Sequence, residues 1–128
     1  MKKVILLAFV AVLAIGFLTM PAANAQTRNV TFVVNTATVP DTLLTSVTIT
    51  GDKAAITNWG AGAPLTNIGG DYWRATLAFN QGDSVRYKIR VNGQWEANPL
   101  DPNGLSPDNR GLIVGTADTT LPVQFFNT

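Results

Sequence analysis

Two of the three tryptophans in this 128-residue chain lie in segments with loop composition rather than strand composition. Trp95 lies in the polar stretch 92–99, and Trp59 is followed by a glycine-rich run. An indole is a rigid ring system that offers an apolar face and a single N–H donor. Rings of this kind placed outside the core are predicted to stack against a flat partner, and a sugar ring is the best candidate.

A lysine is expected to lie close to Trp95. Residues 84–91 alternate strictly, so that one set of side chains faces inward and Lys88 faces outward. The inward set is Val85, Tyr87, Ile89 and Val91. Asn92-Gly93 predicts a type I′ hairpin, which would fold Trp95 back beside Lys88 on one face. The ammonium group would then donate to sugar hydroxyls while the indole stacks on the C–H face of the ring.

The residues that usually carry catalysis are scarce. The sequence contains no histidine and no cysteine, and its acidic residues lie almost entirely in turns. A glycosidase needs two carboxyl groups that face each other across a cleft, so we interpret these acids as turn formers and solubilising charges. A calcium site built from Asp101, Asp108 and nearby carbonyl groups is the alternative, although the spacing matches no known calcium loop. The prediction is a non-catalytic chain with no metal and no cofactor.

The first 25 residues have the pattern of a secretory signal peptide. Lys2 and Lys3 precede an apolar run over residues 4–18, and Ala23-Asn24-Ala25 supplies a cleavage motif. The run is shorter than the roughly 20 residues of a membrane span, although an uncleaved anchor is the alternative. We therefore expect a signal peptide at 1–25 and one domain at 26–128. The domain would be exported to the periplasm, cell surface or exterior of a bacterium, with no membrane association after cleavage.

Charge and cysteine content exclude further classes. The formal net charge is +1, and without Lys2 and Lys3 the basic and acidic residues nearly balance. Nucleic-acid binding needs a clustered excess of positive charge, so it is not expected. An exported domain without cysteine must be held together by its core alone.

The remaining sequence predicts strands separated by turns. It is rich in Thr, Val, Asn and Gly, and it has no helical periodicity. The predicted strands are 30–35, 45–50, 72–79, 84–91, 94–97, 112–114 and 119–126. Trp73 alternates with Ala75 and Leu77, which places it in the core. The expected fold is all-β, an antiparallel immunoglobulin-like β-sandwich.

Several segments in this order resemble the starch-binding domains of carbohydrate-binding module family 20 and their glycogen-binding relatives of family 48. The matching segments are 47–51 with Trp59 eight residues later, 72–77, 87–89, 94–99, and Asn109-Arg110. The matching segments lie between residues 47 and 110, and the resemblance as a whole covers essentially all of residues 26–128. The resemblance implies a module that binds starch, glycogen and maltooligosaccharides, with an amylolytic enzyme as a candidate partner.

The resemblance also implies the residues of the sugar site. These are Trp59, Lys88, Trp95 and Asn109, with Glu96 as a further contributor. The family has leucine-glycine in the first tryptophan loop where this chain has Ile56-Thr57. The segment 100–108 is longer than in family 20, which makes Asp108 an alternative to Asn109.

The sequence leaves alternatives for the number of sugar sites and for the function. A second, tyrosine-based site is common in family 20; here Tyr72 is a weak match, and we predict one site. The alternative function is a structural or adhesive β-sandwich domain of a cell-surface protein with no sugar ligand. An enzyme in its own right is a third interpretation.

Overall fold

The computed structural model describes residues 26–97, 103–104 and 108–127, which form two packed β-sheets. The predicted signal peptide, residues 1–25, lies outside the described residues. Among the residues that are described, no helix has the length and apolarity needed to cross a membrane. The sandwich expected from the sequence is confirmed.

Within the described residues, each sheet contains five strands. The first sheet consists of β1 (Thr27–Asn35), β4 (Thr66–Gly69), β5 (Tyr72–Asn80), β9 (Thr119–Thr120) and β10 (Gln124–Phe125). The second sheet consists of β2 (Val47–Gly51), β3 (Ala63–Pro64), β6 (Ser84–Val91), β7 (Gln94–Trp95) and β8 (Arg110–Ile113). Two 3-10 helical segments, Asp41–Leu43 and Ala54–Trp59, flank β2. The longest strands, β1 with β5 and β2 with β6, pair antiparallel and form the centre of each sheet.

The core lies between the inward faces of these central strands. The first sheet contributes Val30, Phe32 and Val34, and the second contributes Ile49, Val85, Tyr87 and Ile89, each at most 1% exposed. The ring of Phe32 meets Phe79 and Tyr87 edge-on, at centroid distances of 6.2 and 5.2 Å. Trp73 is half-buried and packs against this core, as its alternation predicted. The period-2 pattern therefore identified the inward faces correctly.

The C-terminal part differs from the sequence prediction. Residues 119–126 were predicted as one strand, but they form two short strands separated by residues 121–123. Pro122 lies in the break, where it lacks the N–H that a continuous ladder needs. Both strands pair parallel to β1. The short strands β3 and β4 and the two 3-10 segments were not predicted.

Candidate functional site

The hairpin of β6 and β7 places Trp95. Asn92 and Gly93 have φ values of 53° and 76°, so both turn residues adopt the left-handed backbone that the type I′ prediction required. Arg90 is the cross-strand partner of Trp95. Trp95 is 45% exposed. Its side chain therefore shares the outward face of the second sheet with Lys88 and Arg90.

The side chain of Asn92 fixes this hairpin to the chain that enters β2. Its Oδ1 accepts hydrogen bonds from the backbone N–H of Thr45 at 2.7 Å and from that of Ser46 at 3.2 Å. Its Nδ2 donates to the carbonyl oxygen of Leu43. The turn is thus bound to a neighbouring loop as well as to its own strands.

The loop after β2 places Trp59. Thr57, Asn58 and Trp59 have φ values of 67°, 48° and 64°, three successive non-glycine residues in the left-handed region. This conformation is costly for a β-branched residue such as Thr57. Glycine would adopt the same conformation at lower cost. Trp59, at the end of the three left-handed residues, is 40% exposed.

Hydrogen bonds hold this strained loop in place. The Thr57 hydroxyl accepts from the N–H of Gly62 at 2.8 Å, and the buried Thr50 hydroxyl donates to the carbonyl oxygen of Gly60 at 3.2 Å. Ile56 is fully buried and anchors the segment in the core. Strained backbone that the surroundings maintain is often found at binding sites.

The two exposed indoles lie next to each other. The ring centroids of Trp59 and Trp95 are 6.3 Å apart, and their planes are inclined by 49°. We call this pair the aromatic surface. The two ring planes are tilted with respect to each other, so the aromatic surface is not flat.

Lys88, on β6, and Asn109, directly before β8, lie beside the aromatic surface. Tyr87 pairs with Arg110, so one step further along the register brings Asn109 opposite Lys88. Both side chains are half-buried. An ammonium group and an amide in this position supply donors and one acceptor for hydroxyl groups.

Glu96 is buried beneath the site, and the protein itself binds its carboxylate. Oε1 accepts from the N–H of Ile89 at 2.9 Å and from Nε of Arg110 at 2.9 Å, and Oε2 accepts from Nη2 of Arg110 at 2.8 Å. Glu96 is 3% exposed. In this geometry Glu96 supports the site, while its predicted contact with a ligand stays a prediction.

The predicted residues come together in the structure. Trp59, Lys88, Trp95, Glu96 and Asn109 line one open depression of about 500 Å³. Their role in binding stays a prediction, but their convergence from separate parts of the sequence is an observation. Asp101 lies outside the described residues, and the described part of the chain holds no cluster of three or more metal-binding side chains. Tyr72 is exposed on the other sheet.

Sequence reasoning missed Arg90 and the role of Arg110. The guanidinium carbon of Arg90 lies 4.7 Å from the centroid of the Trp95 ring. The hairpin register, which pairs Arg90 with Trp95, was available from the Asn92-Gly93 turn and could have revealed this contact. No comparable sequence pattern predicts the ion pair of Arg110 with Glu96, because the two residues come into contact only through the packing of β8.

Comparison with known proteins shows where this fold occurs. No protein-family model matches the chain, and no curated protein matches it in sequence. Among solved structures, it is similar to the glycoside hydrolase family 15 glucoamylase from Hypocrea jecorina. The identity is 22%, the TM-score is 0.64, and the match covers 85% of this chain and 18% of that one.

Two further enzymes contain the same fold. The gamma-CGTase from alkalophilic Bacillus clarkii matches at 18% identity and a TM-score of 0.59, over 81% of this chain and 16% of that one. The Hormoconis resinae glucoamylase matches at 15% identity and a TM-score of 0.54, over 83% and 18%. The chain thus spans less than a fifth of each enzyme. At these identities the likeness establishes a shared β-sandwich fold.

Proposed function

We propose that this chain is an exported, non-catalytic carbohydrate-binding module for α-glucans of the starch and glycogen type. The observation that carries the proposal is the single depression that joins the aromatic surface to Lys88 and Asn109. The shared fold with small parts of glucoamylases and a CGTase supports the same substrate class.

The geometry of the aromatic surface accounts for the choice of glucan. Successive sugars of an α-1,4-glucan follow a helical curve, and the 49° inclination of the two rings gives each of two such sugars its own plane. A β-1,4-glucan is a flat ribbon, which would need nearly coplanar rings. Lys88 donates to hydroxyl groups at the edge of the stacked sugars, and Asn109 donates or accepts beside it.

The expected affinity is modest. Covering the exposed part of each indole contributes about 1.5–2 kcal/mol at the usual area coefficient. After the cost of association, two such surfaces give a Kd in the range of roughly micromolar to millimolar. Weak binding of this kind raises the local concentration of an attached or associated amylolytic enzyme at an insoluble glucan.

Retention on solid polysaccharides tests the substrate class. We expect residues 26–128 to bind granular starch and to pass through cellulose and chitin. Equal retention on all three would overturn the α-glucan assignment, and failure to bind any of them would favour a structural or adhesive domain. Release of reducing sugar from starch by the purified protein would contradict the non-catalytic assignment.

Calorimetric titration with maltoheptaose and β-cyclodextrin tests the residues. Trp59→Ala and Trp95→Ala should each weaken binding about 10- to 30-fold, the equivalent of the stacking contribution. The matched control is Tyr72→Ala, which removes an exposed aromatic ring from the other sheet. It should bind like the wild type. A folded Trp95→Ala variant with unchanged affinity would exclude the aromatic surface as the binding site.

A further inference from the structure

Arg90 makes contacts that join the two loops of the aromatic surface. Its Nη1 donates to the carbonyl oxygen of Gly60 at 3.3 Å, and its Nη2 donates to that of Gly93 at 2.8 Å. Gly60 directly follows Trp59, and Gly93 precedes Trp95 by two residues. One guanidinium group therefore bonds to the backbone next to each tryptophan.

The same guanidinium group also contacts an indole. Its central carbon lies 4.7 Å from the centroid of the Trp95 ring, within the range of a cation–π interaction. Arg90 does not line the depression, whose described walls are formed by its neighbours. The contact thus supports the ring without placing Arg90 among the groups that face a ligand.

The loop that carries Trp59 needs such a support. Its three successive left-handed residues end at Trp59, so the local backbone alone does not favour this placement of the ring. The carbonyl oxygen of Gly60 accepts from Thr50 as well as from Arg90. Thr50 ties the loop to β2, whereas Arg90 ties it to the hairpin that carries the other ring.

We infer that Arg90 is the positioning residue of the aromatic surface: it fixes the relative placement of Trp59 and Trp95 and thereby the affinity for ligand. The inference rests on the proposed function for the ligand, but the placement of the rings is measurable without one. The planar guanidinium group has several donors in a fixed arrangement, so it bonds to two carbonyl groups while it lies against a ring, and the compact ammonium group of lysine does not reproduce this geometry. Preorganised rings bind more tightly because less conformational freedom is lost on binding.

Circular dichroism reports on the placement of the rings. Two indoles at 6.3 Å are close enough for their electronic transitions to couple, so we expect an exciton couplet in the far ultraviolet. Trp59→Phe should abolish the couplet, which assigns it to this pair. Arg90→Lys should reduce it strongly and weaken maltoheptaose binding about tenfold. The matched control is Arg86→Lys on the same strand, where Arg86 pairs with Asp52 instead, and it should change neither quantity.

Each other outcome contradicts the inference. An unchanged couplet with unchanged affinity means that Arg90 positions nothing. Weaker binding with an intact couplet means that Arg90 contacts the sugar itself, and a lost couplet with intact affinity means that the fixed geometry is not needed. If the wild type binds no α-glucan, the proposed function fails, yet the couplet still decides whether Arg90 holds the rings. Melting curves check folding, and Arg90→Gln provides the same two measurements if Arg90→Lys does not fold.

Discussion

Glu96 and Trp95 are neighbours in sequence, but they differ completely in their surroundings. Trp95 is 45% exposed, whereas Glu96 is 3% exposed and both of its carboxylate oxygens accept hydrogen bonds from the protein. In a strand, consecutive side chains face opposite sides, and here that alternation continues just past the end of β7. The surface on which Trp95 lies thus depends on the buried ion pair directly beneath it.

We predict that Glu96→Gln lowers the free energy of unfolding by about 2–4 kcal/mol. The change leaves the mostly buried Arg110 without its charged partner, and breaking a buried pair from one side is strongly destabilising. Urea denaturation measures the loss. The control is Asp52→Asn, because the partner of Asp52, Arg86, is 52% exposed. This variant should lower the free energy of unfolding by less than about 1 kcal/mol. Equal losses in the two variants would show that burial of the pair does not matter.

The candidate site was predictable residue by residue only in part. Trp59 and Trp95 were identified because bulky rings in polar, glycine-rich segments have no place in a core. The burial of Glu96 was not predictable, since its partner Arg110 lies 14 residues away and approaches only through β8. The left-handed backbone of Thr57 was not predictable either, because a threonine does not favour this conformation.

At the level of elements, the β6–β7 hairpin was the most predictable part of the molecule. The strict alternation of apolar and polar residues predicted the observed bounds of β6, and Asn92-Gly93 predicted the turn. The edge strand β4 was not predictable, because all four of its residues are exposed and no apolar alternation marks it. Short edge strands depend on their neighbours for structure, so their sequences carry a weaker pattern.

Asn92 stabilises the turn through its left-handed backbone and through its side-chain hydrogen bonds, and two substitutions should separate these contributions. Asn92→Gly keeps the left-handed backbone but loses the side-chain bonds to residues 43–46, and we expect a loss of about 2 kcal/mol. Asn92→Ala loses the same bonds and adds about 1 kcal/mol of backbone strain. Thermal and urea denaturation of both variants measures the difference. Indistinguishable variants would mean that φ at this position carries no cost.

Asp71, which lies between β4 and β5, should make the stability of the fold depend on pH. Burial raises the pKa of the Asp71 carboxyl above its ordinary value of 3.8, and the nearby Asp41 carboxyl raises it further. The folded state therefore binds this proton more tightly than the unfolded state does. The associated stability is complete below pH 3.8 and is lost as the pH rises through the raised pKa.

Asp71→Asn should consequently raise the melting temperature at pH 7. The gain should shrink as the pH falls through the raised pKa towards 3.8, because the Asp71 carboxyl of the folded protein becomes protonated in that range. Scanning calorimetry at several pH values measures it, with the exposed Asp108→Asn as the control. An increase in melting temperature that is the same at every pH would exclude the contact between the Asp71 and Asp41 carboxyl groups as its cause.

For the whole molecule, stability rests on one core shared by the two sheets. Phe32 is fully buried and meets Phe79 and Tyr87 edge-on, so Phe32→Ala should cost about 3–5 kcal/mol. Val33→Ala, on the outer face of the same strand, should cost less than about 1 kcal/mol. Urea denaturation compares them. A small loss for Phe32→Ala would show that the two sheets do not share a tightly packed interior.

The sandwich was predictable from the alternation and spacing of its strands, but the connections that close it were not. The parallel pairing of β9 and β10 with β1 joins residues nearly ninety positions apart, and nothing in residues 119–126 indicates their partner. Sequence patterns report which face of a strand is buried. They do not report which neighbour supplies the hydrogen bonds at its edge.

The direction of β6 has a practical consequence for handling the protein. Its first residue lies at the end of the sandwich where Gln81 bonds to the backbone of Gln26, and the hairpin turn lies about 25 Å away at the opposite end. Ala97 bonds to Asn127 at that opposite end as well. An immobilising tag attached ahead of Gln26 would therefore place the resin at the end of the sandwich far from the β6–β7 hairpin, whereas one attached after Asn127 would place the resin close to the hairpin and its Trp95.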